Sequence, residues 1–74
     1  MTDREKEALK LIGKQFREFR ESQKLSKRQV FEDTGISRNY LREFEDGERN
    51  AGLLQILKLA NYYNAILDVN LTAY

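Results

Sequence analysis

Apolar residues recur at helical spacing over most of this chain and switch to strict alternation near its end. Leu9, Ile12, Phe16 and Phe19 mark one face of a first helix, leaving Arg4, Lys10, Lys14, Arg17 and Arg20 among the exposed positions. Thr2-Asp3-Arg4-Glu5 is a capping box, so this helix starts at Thr2 and runs to about Gln23. Ser26-Lys27-Arg28-Gln29 is a second capping box, with Val30 and Phe31 as the apolar face behind it. Gly35 ends that helix, because only glycine enters the left-handed turn without strain. Ser37 caps a third helix with Tyr40, Leu41 and Phe44 inward, and Asp46-Gly47 closes it. Asn50 is the candidate cap of a fourth, whose inward stripe reads Leu53, Ile56, Leu57 and Ala60 as far as about Tyr63. Asn64 suits the left-handed position that closes this last helix.

Beyond Asn64 the period drops to two. Leu67, Val69, Leu71 and Ala73 alternate with Asp68, Asn70 and Thr72, which predicts a strand over about 66–72. No second strand is legible in the chain, so its backbone groups need another copy or another protein; disorder of the tail is the alternative. Two antiparallel copies of Ile66–Thr72 would bury Leu67, Val69 and Leu71, at roughly 1.5–3 kcal/mol per side chain before entropy costs. Ile66 and Tyr74 complete the expected dimer interface, while Tyr62 and Tyr63 suit either an interface or ordinary packing. The expected fold class is all-α: four helices in a single domain over 1–74, with a short C-terminal strand that pairs in a dimer.

Composition narrows the function. The 74 residues contain no Cys and no His, which removes disulfides, the usual metal ligands and the commonest acid–base group. Neither a cofactor nor a metal site is expected, and without a convergent catalytic pair neither is an enzyme. A core this small is marginal, so oligomerisation is the expected aid. No apolar run is long enough for a membrane span, and the expected location is the cytoplasm. Net charge is only +1, and residues 26–50 carry five basic against six acidic groups. Any affinity for nucleic acid must therefore come from where Arg and Lys point, not from their total.

The segment from about 26 to 46 is two short helices joined by a tight turn at Gly35, the second opening on a polar, Arg-bearing face. That layout can place a helix in the major groove of double-stranded DNA. The first two turns of that helix carry Arg38, Asn39, Arg42 and Glu43. Arg can bridge guanine O6 and N7, Asn can bridge adenine N6 and N7, and Glu can accept from cytosine N4. Each of the four is otherwise an ordinary solvated side chain, and Glu43 has the further option of pairing with Arg42 or Arg49. Phosphate contacts are expected from Lys27 and Arg28 at the start of the second helix, and from Arg49 and Asn50 after the third. Tyr40 and Ser37 have hydroxyls that can reach phosphate, although Ser37 reads first as a cap.

The ordered pieces I12-G13, R17-E18-F19-R20, L25-S26, T34 through L41, E45-D46-G47-E48-R49-N50 and L53 through A60 resemble the Cro/CI-type (XRE-like) helix-turn-helix family of bacterial and phage regulators. The resemblance spans Ile12 to Ala60. It implies a sequence-specific regulator, with base readout at Arg38, Asn39, Arg42 and Glu43, and it gives Glu45 a structural role. Departures are visible. Lys27 replaces a frequent Gln, and Glu48 replaces a frequent Lys or Arg. Phe31 stands where Ala is usual and Thr34 where Leu is usual, so either the two exchange volume or the angle between the helices shifts and the readout positions shift with it. Asp46 and Glu48 would repel phosphate and are expected to point aside.

The terminal strand in place of a fifth helix is similar to the HipB-type antitoxin branch. That likeness implies a homodimer that represses its own operon and binds a kinase-like toxin. The expectation is thus a homodimeric repressor on an inverted-repeat operator with half-sites ~34 Å apart. Against it stands a protein-interaction module that keeps the helix-turn-helix shape without DNA binding, supported by the acidic balance of 26–50.

Overall fold

The computed structural model describes residues 1–64 as α-helices α1 (Asp3–Ser22), α2 (Lys27–Thr34), α3 (Arg38–Glu45) and α4 (Leu53–Tyr62). No strand occurs among the described residues. The strand expected over 66–72, with Ile66, Leu67, Val69, Leu71 and Tyr74, lies outside them. The helical part of the expected all-α fold is as anticipated.

Local chemistry accounts for the boundaries. Thr2, Ser26 and Ser37 each sit in extended conformation, and their hydroxyls accept from the backbone N–H of Glu5, Gln29 and Tyr40 at 3.2, 3.0 and 3.1 Å. Each satisfies one of the orphan donors of a helix start. Gly35 closes α2 in the left-handed region (φ 79°), and Asn64 follows α4 with φ 57°. The α1–α2 turn is closed by Lys24 in the left-handed region (φ 58°), where no glycine signals it. Its strain is offset by two backbone bonds, Lys24 N–H to Glu21 O and Leu25 N–H to Arg20 O.

α1 packs on α3, and α2 packs on α3 and α4. Phe16 of α1 meets Phe44 of α3 edge to face at 5.2 Å, and Tyr63 lies 6.5 Å from Phe16. Val30, Ile36, Leu41 and Leu59 close the interior around this aromatic group. Burial pushes the Tyr63 hydroxyl well above the ordinary tyrosine range, so it stays neutral. Tyr62 is half-buried, rests against Tyr63 at 5.3 Å and donates its hydroxyl to Asp33.

Expectations fail at Arg20 and Phe19, at the Asn50 cap and along the α4 stripe. Arg20 is buried rather than exposed, because it continues the Ile12–Phe16 face one turn on while Phe19 turns outward. Asn50 does not cap α4. The chain stays extended long enough to bury Ala51, and Gly52 becomes the N-cap without a side-chain bond. Starting there, α4 turns Ile56, Leu59, Ala60 and Tyr63 inward. Leu53, Leu54 and Leu57 then lie outside, 66%, 82% and 44% exposed.

Candidate nucleic-acid interface

The N-terminus of α3 is the centre of the site. With Ser37 as cap, Arg38 and Asn39 are its first two residues, and its first turn holds no acidic residue. The positive end of the helix is therefore unopposed locally. Both side chains are exposed, and neither is engaged in a hydrogen bond or ion pair among the described residues. They line one hollow together with Ser37 and Phe31.

One turn further along, the situation differs. Arg42 faces three carboxylates, Glu48 at 3.7 Å, Glu43 at 3.8 Å and Asp46 at 3.9 Å. Glu43 also accepts from Arg49 Nε at 2.7 Å, and the Arg49 guanidinium lies 4.7 Å from the centre of the Tyr40 ring. Arg49 is thus held between a carboxylate and an aromatic face, a cation–π arrangement that points it from the α3–α4 connection. These pairs are solvent-exposed, and such pairs contribute only about 0.2–1 kcal/mol each, so a phosphate can displace them. Glu45 is separate from this group: it is buried and bonded to Arg20. The acidic run of α3 is consequently spent on internal arginines.

Lys27 opens α2 half-buried and without an ion-pair partner among the described residues. Arg28 beside it pairs with Glu32 at 3.2 Å across one exposed turn. Asn50 is exposed in the α3–α4 connection next to Arg49. A second hollow runs along the turn between α2 and α3, lined by Ile36, Ser37, Tyr40, Gln55 and Lys58. Lys58, the one basic residue after Asn50, was not an expected site residue. Its spacing of three from Gln55 on α4 is the signal that places both on that side. Among the described residues no group of three or more Asp or Glu is arranged to hold a metal ion.

Phe31 and Thr34 do not exchange volume. Thr34 Oγ1 donates to Val30 O at 2.7 Å and accepts from Ile36 N–H at 3.1 Å, so it serves the turn rather than opening a hole. Phe31 stays 45% exposed beside Arg38 and Asn39.

A sequence model of the family described as Helix-turn-helix matches residues 16–67. The chain belongs to the XRE-type helix-turn-helix family. Within this family it is similar to the restriction-modification controller protein C.AhdI from Aeromonas hydrophila, known from a crystal structure. The two are 33% identical, with a TM-score of 0.77 and coverage of 82% of this chain and 88% of that one. No curated protein gives a significant match. Family and fold are those of a DNA-binding transcription regulator rather than of an enzyme. No described helix is long and apolar enough to cross a membrane.

Proposed function

We propose that this helix-turn-helix chain acts as one domain, a sequence-specific repressor that binds an inverted-repeat operator as a homodimer in the cytoplasm. The observation that carries the reading is the pair Arg38 and Asn39, exposed and unengaged at a capped helix N-terminus. They are the principal base readers in this proposal, with Arg42 and Glu43 joining once their exposed ion pairs open. Lys27, Arg28, Ser37, Tyr40, Arg49 and Asn50 hold phosphates. A second copy is supported by the leucines of α4 that the fold leaves outside, since exposed apolar strips mark interaction surfaces. The alternation over 66–72 adds a further candidate contact.

The likeness to a restriction-modification controller favours control of restriction-modification genes as the biological setting. An antitoxin with a kinase-like toxin partner rests on the 66–72 alternation alone. The interaction-module reading loses its main support, because the carboxylates that motivated it are engaged with Arg20, Arg42 and Arg49.

Selection of binding sites from random duplexes by the full chain tests the proposal, followed by sedimentation of the complex. Enrichment of a palindromic site bound by two copies is the expected result. Recovery of unenriched DNA, or of one copy per half-palindrome with no pairing at micromolar concentration, would overturn it.

A further inference from the structure

We propose that Phe31 is a specificity-determining residue that recognises the C5-methyl group of a thymine next to the base read by Arg38 or Asn39; this rests on the DNA-binding reading above. The core does not use the ring. Val30, its neighbour on α2, is fully buried and fills the inner face, and Thr34 one turn on closes the helix through its own hydroxyl. Phe31 instead presents a 45% exposed ring to the hollow it shares with Ser37, Arg38 and Asn39. A base edge that reaches Arg38 or Asn39 therefore comes to lie against this ring.

The ring has no conventional donor or acceptor, so it can discriminate only by apolar contact. On the base edges of the major groove, the one apolar group is the thymine methyl. Arg38 and Asn39 supply hydrogen bonds suited to guanine and adenine, and Phe31 supplies the complementary preference for a neighbouring thymine. The polar members of the hollow orient the base step, and the aromatic member separates thymine from cytosine.

The test uses the duplex selected by the full chain, with each thymine replaced singly by deoxyuridine, which deletes only the methyl group. At one or two positions per half-site, the unsubstituted protein should lose about three- to fivefold in affinity, the effect of returning one methyl group to water. Phe31→Ala should bind thymine and deoxyuridine duplexes equally, while Phe31→Leu should retain part of the discrimination and so exclude a folding defect. If no position discriminates, or if Phe31→Ala discriminates as the unsubstituted protein does, the inference is overturned and the DNA-binding reading stands. If no duplex is selected at all, both are overturned.

Discussion

Arg20 and Glu45, 25 residues apart in sequence, form a two-pronged ion pair inside the fold, with Nε donating to Oε2 at 2.8 Å and Nη2 to Oε1 at 3.0 Å. The remaining Nη1 donates to Leu25 O at 2.8 Å. One side chain of α1 therefore holds both the C-terminal end of α3 and the entry to α2, which fixes α3 on its scaffold. The bond to Glu45 holds the guanidinium above its usual arginine range, so Arg20 stays charged. Removing one partner strands a buried charge. Glu45→Leu should cost about 3–5 kcal/mol in urea unfolding, whereas Arg20→Met with Glu45→Leu should recover much of that loss. Equal loss in the single and double variants would show that the pair stabilises by itself rather than by mutual cancellation.

Gly13 sets the distance between α1 and α3. A Cβ built there would lie 2.3 Å from Phe44 O and 2.7 Å from Glu45 O, both backbone atoms that cannot rotate away. In an exposed helix interior, Gly→Ala gains up to about 1 kcal/mol. Here the sign should reverse, with Gly13→Ala losing about 1–3 kcal/mol as α1 is pushed off α3. Thermal unfolding decides it, and a gain in stability would refute the close approach.

The capping residues Thr2, Ser26 and Ser37 and the stop at Gly35 were legible because their chemistry is local. Arg20 was not, because hydropathy assigns a charged residue to the outside unless its partner is known, and Glu45 lies far along the chain. The phase of α4 was misread for a related reason. Four leucines in eight positions fit more than one stripe, and the burial of Ala51 shifts the start of the helix to Gly52. At the site, Arg38 and Asn39 lie where a capped helix must put them. The engagement of Glu43 with Arg49 depends on how the α3–α4 connection folds back, which no periodicity encodes.

The bond between Tyr62 and Asp33 ties α4 to α2 and should make stability depend on pH at both extremes. The Tyr62 hydroxyl, and after it the Gln29 amide, hold the Asp33 carboxyl below its ordinary value of 3.8. That contribution is present above the ordinary value and is lost as pH falls through the depressed one. The same bond to Asp33 pushes Tyr62 up from 10.0 to about 12, so its contribution is present below 10.0 and lost as pH rises through about 12. Tyr62→Phe should melt earlier than the unsubstituted protein at neutral pH. The difference should shrink as pH falls below 3.8 and again as it rises through about 12. A difference that is constant with pH would show that the ring, not the hydroxyl, matters.

Base readers and phosphate holders should separate by their signatures on DNA. Arg38→Ala is expected to cost about 1–3 kcal/mol on the selected site and to relax preference at one base position. Lys27→Ala should weaken all sequences alike and reduce the salt slope by about 1. Fluorescence anisotropy on the selected and scrambled duplexes over a salt series distinguishes the two. Equal loss on every sequence for Arg38→Ala would remove it from the readout.

In the proposed complex with DNA, the carboxylates around Arg42 should restrain affinity. Asp46 and Glu48 lie 3.9 and 3.7 Å from the guanidinium, in solvent-exposed pairs that contribute little to folding. Near a phosphate they act oppositely, competing for Arg42 and repelling the backbone. Replacing both by amides, Asp46→Asn with Glu48→Gln, should therefore leave stability within about 0.5 kcal/mol while strengthening DNA binding. The gain should be largest at low salt, because it comes from removing two negative charges near the phosphates. Less repulsion helps every duplex, while an Arg42 released for its base adds to the gain on the selected one, so the ratio between selected and scrambled duplexes should hold or rise. Unchanged affinity at low salt would turn Arg42 away from DNA and leave readout to Arg38 and Asn39 at the helix start.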